Sequence, residues 1–284
     1  MGINIMAAIP KKVTERFVHE LGRFQKVLQS AKDRDINESD TVVIITDMLS
    51  YVFGFDKYSE ITSEFSIRGT FCDLAVKVDG DPKYLIEVKA VGINLKDNHL
   101  KQAVDYGANK GIDWVVLTNG INWEIHKIKF ERPIGNELVC SINMLELNPR
   151  KASDHDKLFL LCKEGLSKAA IEEFHQHQQS VNRFVVGALL FTDPVLDVIR
   201  RELRRIAPEV RVDTDEIEKV LRSEVVKRDV IDCENAEQAR GMIKKAAQRA
   251  LRNMTKPAKA VTVSSDAEDE TEKDSSHEPE VTEA

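Results

Sequence analysis

The sequence predicts an α/β protein: a mixed central sheet flanked by helices, followed by an all-helical C-terminal domain. Three observations carry this expectation. Residues 37–148 alternate between helical and strand periodicity. Residues 149–254 show the helical period alone. Turn-forming sequences, Asp79-Gly80-Asp81-Pro82 and Asn119-Gly120, separate the strand-like runs. The expected organisation has four segments: an N-terminal helical segment over 1–36, the α/β domain over 37–148, the helical domain over 149–254, and an acidic tail over 255–284. The tail has almost nothing to bury, so disorder is expected there.

The elements follow in order. Phe17, Leu21, Phe24 and Leu28 form an apolar stripe at helical spacing, which predicts a helix over 11–31. Asn37 is placed to cap a second helix through Phe53, with Gly54 as its stop. Its expected buried stripe is Val42, Ile45, Leu49 and Val52, with Glu38 on the same stripe. Residues 60–67, Phe71–Val78 and Lys83–Lys89 read as three strands, the last two forming a hairpin. A helix is expected over Asp97–Asn109. Two more strands, Trp114–Thr118 and Trp123–Ile128, flank Asn119-Gly120.

Composition removes some function classes. No run approaches the roughly 20 apolar residues of a membrane span. Met1–Pro10 is short and has no basic start, unlike a secretory signal. Cys72, Cys140, Cys162 and Cys233 contain no CxxC pair, which suits a reducing cytoplasm better than a zinc site or a disulfide framework. The net charge of -7 is misleading. Nine acids and one lysine lie between Val261 and Ala284, so the rest of the chain is close to neutral. The acidic total therefore does not exclude a nucleic-acid partner.

Strand parity points to a site. Side chains alternate between faces of a strand. Cys72, Leu74, Val76 and Val78 make one apolar face, and Asp73 lies on the other. Tyr84, Ile86 and Val88 point one way, while Leu85, Glu87 and Lys89 point the other. In the preceding strand Glu64 opposes Ile61, Phe65 and Ile67. Glu38, if it faces the core, needs a charged partner. These acids suit a magnesium ion, which takes oxygen ligands and retains several waters. Asp73 and Glu87 would hold it, with the Val88 carbonyl and Glu64 as further ligand candidates. Such an ion polarises a phosphodiester and lowers the pKa of a bound water. Lys89 would orient that water or stabilise developing charge. The plain alternative is a solvated strand face, since Glu-x-Lys alternation alone is common.

These residues bear a family resemblance. Asn37-Glu38-Ser39-Asp40-Thr41, Gly54-Phe55-Asp56, Ser63-Glu64-Phe65, Cys72-Asp73-Leu74 and Ile86-Glu87-Val88-Lys89-Ala90 occur in order. Gln102-Ala103-Val104-Asp105-Tyr106 and Leu117-Thr118-Asn119-Gly120 follow. Together, over 37–128, they resemble the N-terminal nuclease domain of type I restriction enzyme R subunits, in the PD-(D/E)xK superfamily. The resemblance implies a restriction-endonuclease-like fold and magnesium-dependent DNA cleavage in restriction or phage defence, with manganese as a substitute ion. It assigns Asp73, Glu87 and Lys89 to the catalytic triplet and Glu38 to the helix acid. Gln102 and Tyr106 match a Q-x-x-x-Y motif that positions DNA or catalytic groups. The chain departs from a full R subunit: it has no G-x-x-x-x-G-K-[ST] loop, so no ATP site of that kind is expected. Cys72 stands where the superfamily's proline would be.

In the helical part, Leu158, Leu161 and Leu166 open the pattern, and Phe184, Ala188 and Phe191 suggest the next helix. Pro194 suits the start of another, with Leu196, Ile199, Leu203 and Ile206 as its buried face. Ile217, Val220, Leu221 and Val225 suggest a fourth, and a last helix is expected over 235–253. Arg200, Arg201, Arg204 and Arg205 cluster on one helix. They fit phosphate contact, or a solvated face paired with acids such as Glu202, or a dimerisation bundle. His175 and His177 read as surface residues. Two functional readings remain: a DNA endonuclease acting with restriction-system subunits or as a homodimer, and a catalytically inactive DNA-binding or docking module. RNA as substrate is not separated from DNA, and no small-molecule cofactor is expected.

Overall fold

The computed structural model describes residues 8–67 and 70–254, without the side chains of 64–71, 253 and 254. The expectations for the Glu64 side chain and for the acidic tail over 255–284 therefore lie outside the described residues. Among those described, no helix is long and apolar enough to cross a membrane.

Two helices open the chain. Helix α1 (Lys11–Asp33) buries Val13, Phe17, Leu21, Phe24, Leu28 and Ala31, the predicted stripe extended by one turn at each end. Helix α2 (Glu38–Tyr51) starts as expected: the Asn37 side chain accepts a hydrogen bond from the Asp40 amide at 2.9 Å. It stops before Gly54, whose φ of 83° favours a residue without Cβ. Arg16 of α1 closes that end, donating from Nε to the Val52 carbonyl at 2.9 Å. Along α2 the buried face is Thr41, Ile45, Met48 and Leu49, so Val42 is only partly covered.

Six strands follow: β1 (Ile61–Ile67), β2 (Thr70–Val78), β3 (Asp81–Val88), β4 (Trp114–Thr118), β5 (Asn122–Lys129) and β6 (Gly135–Asn143). They form one sheet in sequence order. Pairing is antiparallel except between β3 and β4, which run parallel. Helix α3 (Lys101–Lys110), preceded by a 3-10 turn at Asp97–His99, makes that crossover. The β2–β3 hairpin turns on Asp79 and Gly80, with φ of 53° and 85°, a two-residue turn tighter than the four-residue sequence suggested.

Strand β6 is absent from the sequence reading. Its period is broken: Ile125 pairs with Cys140 and His126 with Leu138, leaving Val139 as an extra residue. Buried residues therefore fall at Val139, Cys140 and Ile142 rather than on alternate positions.

Each sheet face has its own core. Tyr84, Ile86, Val88, Trp114, Val116, Trp123 and Ile125 pack with α1, α2 and helices α4 (Ala152–Phe159), α5 (Lys163–Ser167) and α6 (Ala170–Ser180). Ala75, Leu85, Val115, Leu117 and Ile128 pack against α3 on the other face. Polar ties reinforce the first layer: the Tyr84 hydroxyl donates to the Leu161 carbonyl at 3.0 Å, and Trp114 Nε1 donates to Glu172 at 2.9 Å.

The chain divides into two compact units after Asn182. This differs from the expected boundaries at 36 and 148, because α1 and α4–α6 complete the core over the sheet. The second unit holds α7 (Arg183–Leu189), α8 (Asp193–Ile206), α9 (Thr214–Val220) with a π turn at Leu221–Val225, α10 (Arg228–Ile231) and α11 (Glu234–Met254). The expected buried face of α8 is corrected: Leu196 is buried, Ile199 and Leu203 are half-buried, and Ile206 is 80% exposed. The unit is small, and its remaining helices do not cover the far end of α8.

Candidate active site

The site forms where β3 ends. Glu87 is its last residue but one and is 9% exposed. Parity puts it on the face of Leu85, as predicted from sequence. The β2–β3 register, followed from Val78↔Asp81 to Leu74↔Ile86, brings Asp73 opposite this end. There a side chain takes part in the backbone pairing: Asp73 Oδ2 accepts the Val88 amide at 2.7 Å. One carboxylate oxygen is thus fixed by the neighbouring strand.

Lys89 follows immediately. Its amide donates to the Thr118 carbonyl of β4 at 2.8 Å, which extends the parallel pairing past the strand end. Its ammonium donates to Glu87 Oε1 at 2.8 Å and to Glu38 Oε2 at 3.4 Å. Glu38 reaches it from the first turn of α2. The expectation that Glu38 faces the core is corrected: its side chain is 48% exposed, because the first turn of α2 extends beyond the buried layer.

The electrostatics follow from crowding. Burial pushes the Asp73 carboxyl above its ordinary range, the Val88 amide and Lys89 act against this, and Glu38 adds to it. Burial also raises Glu87; the Lys89 hydrogen bond opposes the shift and the Asp73 charge reinforces it. Burial works against the Lys89 charge, but the bond to Glu87 and the charges of Glu87, Glu38 and Asp73 hold its pKa above the usual lysine value. Two carboxylates bond the ammonium and the third, Asp73, acts on it through its charge, so the cluster has a formal excess of two negative charges.

Asp73 Oδ1 and Glu87 Oε2 accept no hydrogen bond among the described residues. Both belong to acids whose charged forms are disfavoured by burial, so a cation placed between them would be stabilising. The described residues contain no group of three or more His, Cys, Asp or Glu side chains gathered to hold a metal.

Other predicted residues lie in varied surroundings. Cys72 departs from the expected face and packs with Ala75 and Leu85. Strict alternation is lost where the Asp73 side chain enters the β2–β3 pairing. The Cys72 thiol donates to the Ile86 carbonyl at 3.1 Å; burial, then Glu87 and Asp73, push its pKa up to about 12. Tyr106 is buried in the same layer beside Cys72, whereas Gln102 is exposed at the start of α3. The two share a helix face but not an environment.

In the helical unit, Arg200 pairs with Asp197 at 2.7 Å and Arg205 with Glu202 at 2.9 Å. Arg201 lies 3.5 Å from the same Glu202. Arg204 has no ion-pair partner among the described residues. His177 is exposed, but His175 is corrected: it is partly buried edge-on against Trp114 and 3.9 Å from Glu137.

Sequence reasoning missed the role of Asn119. Its Oδ1 accepts the Ile121 and Asn122 amides at 3.1 and 2.8 Å, as a turn residue should. Its Nδ2 also donates to the Ile93 carbonyl at 2.9 Å. Asn119 is 3% exposed and so holds the segment that leaves Lys89. Period and turn signals describe only the first of these tasks.

No curated protein and no solved structure matches the chain. Glu38 lies just before the stretch that a family model does match. Residues 40–139, which contain Asp73, Glu87 and Lys89 and most of the sheet, match the model of the type I restriction enzyme R protein N terminus (HSDR_N) and are similar to that family over this stretch.

Proposed function

We propose that residues 1–182 form a divalent-metal-dependent endonuclease domain that hydrolyses DNA phosphodiesters in a restriction system. One observation carries this reading: α2 and β3 bring Glu38 and Glu87 onto a single lysine ammonium, with the Asp73 carboxylate of β2, fixed by the Val88 amide, close enough to act on its charge. The family of residues 40–139 supports the restriction setting.

Magnesium fits the donor set. Asp73 Oδ1, Glu87 Oε2 and the Val88 carbonyl would hold it, the remaining positions being filled by water. When bound, the ion supplies Lewis-acid polarisation of the phosphate and a more acidic water. The chain's own residues do the rest. The Val88 amide fixes the Asp73 carboxylate. Glu87 and Glu38 hold Lys89 as a cation, and its ammonium offers a donor to a developing phosphorane charge. Lys89 acts as a positive donor, since its raised pKa makes it a poor base at neutral pH. The α8 arginines would add phosphate contacts outside this site.

A second reading is favoured by one contact. Lys89 already bonds Glu87 at 2.8 Å, an internal pair that can serve a non-cleaving scaffold for DNA binding or partner docking. Plasmid DNA incubated with magnesium separates the two. Cleavage by the native chain, lost in Asp73→Ala and Lys89→Ala, supports the nuclease. Tight gel-shift binding in chelator with no cleavage after magnesium is added supports the scaffold.

A further inference from the structure

In the helical unit, α8 and α9 enclose a groove of about 410 Å³ whose floor is Ile199, Leu203, Val210, Ile217, Val220 and Leu221. Val210 and Val220 are about half exposed. The groove is an apolar concavity open to water, with room for small apolar side chains. Its rim carries charge. Arg211 lines the groove, with Glu216 opposing it. Arg204 follows Leu203 in α8, so it flanks the apolar floor. Arg204 and Arg211 have no ion-pair partner among the described residues, unlike Arg200, Arg201 and Arg205. The occupant must therefore combine small apolar side chains with acids.

The chain contains such a segment. Ala260-Val261-Thr262-Val263 is followed by Asp266, Glu268, Asp269, Glu270 and Glu272. We propose that residues 258–274 dock on the α8–α9 groove of the same chain. Val261 and Val263, two apart, enter the apolar floor together, and the acids that follow meet Arg204 and Arg211. Reach is sufficient. Seven peptide steps from Met254 to Val261 cover up to about 25 Å. A compact unit of this size has a radius of gyration of about 11 Å. A docked acidic segment occupies the arginines that a phosphate backbone would use, so it competes with nucleic acid for this face. The docking itself does not rest on the nuclease reading.

Hydrogen exchange of the full chain, measured without nucleic acid, tests it. Both variants change only residues beyond Met254 and leave every residue of α7–α11 unaltered. Val261→Asp combined with Val263→Asp is expected to speed exchange of α8 and α9 amides by about tenfold, with α11 and the sheet unchanged. Neutralising Asp266, Glu268, Asp269, Glu270 and Glu272 to Asn or Gln is expected to give a smaller acceleration, matched by high salt in the native chain. Equal exchange in all three chains overturns the proposal. So does protection lost on dilution of the native chain, which assigns the groove to a second copy.

Discussion

The two units use apolar residues differently. The first sandwiches a six-stranded sheet between two layers, and strand β4 is buried along its whole length. In the second, the buried apolar side chains among the described residues are Leu196, Ile217, Ile231, Ala236 and Ala239. Val198, Ile206, Val210, Val220, Val225 and Leu251 stay exposed in that unit. A sheet covered on both faces fixes its strand ends, and the acidic site stands on one of them. Helices around a small core leave more apolar surface in water. The contrast separates a part built for geometry from a part built for contact.

The sharpest way to test that division is at the site. Lys89→Ala is expected to lower DNA cleavage by at least about 10²–10³-fold, the usual cost of losing one donor to a developing charge. The same assay on an Arg204→Ala variant should show weaker binding with the cleavage step retained. An unchanged rate in Lys89→Ala would remove the geometric role of the first unit.

Next comes stability. Phe17→Ala is expected to cost about 3–5 kcal/mol in denaturant unfolding, because its ring is fully buried. Ile206→Ser should stay within about 0.5 kcal/mol, its side chain being mostly in water. Similar losses at both positions would erase the contrast between the units.

Metal should act on the first unit alone. At a hundredfold excess over its dissociation constant, manganese is expected to stabilise the native chain by about 2.7 kcal/mol. The Asp73→Asn, Glu87→Gln double variant should show no such gain. Calorimetric titration checks the same point without reference to cleavage.

Smaller effects follow from single contacts. Asn37→Ala removes the cap of α2 and should cost about 1 kcal/mol, with Asn37→Gly costing only a few tenths. Asp73 and Glu87 have raised pKa values, so the folded state binds their protons more readily than the unfolded chain. Their contribution is fully present below the ordinary carboxylate pKa and is lost as pH rises through the folded value. Asp73→Asn keeps an oxygen for the Val88 amide and removes that loss. Its melting temperature should rise at neutral pH and match the native chain in acid, as thermal unfolding at the two pH values checks.

Much of this was legible in the residues, for identifiable reasons. Asn37, the Asp79-Gly80 turn and the Asn119-Gly120 turn act locally, so spacing revealed them. Asp73, Glu87 and Lys89 followed from strand parity, which holds up to the end of β3. Parity misplaced Cys72, where the Asp73 side chain replaces a backbone partner, and concealed β6, where Val139 interrupts the alternation. The unit boundary depends on contacts distant in sequence, such as Tyr84 with Leu161 and Trp114 with Glu172. Periodicity contains no information about such pairs.

The bond from Asn119 to Ile93 has one more consequence. Together with the tie from the Lys89 amide to Thr118, it anchors both ends of a five-residue span to the same turn. Ala90, Val91 and Gly92 have little slack, and a Cβ on Gly92 would come within 2.5 Å of Asp35. Asp35 lies on the short link that leads into Glu38. Inserting a single residue between Lys89 and Ile93 should therefore misalign both partners of the ammonium at once, although neither partner is itself altered.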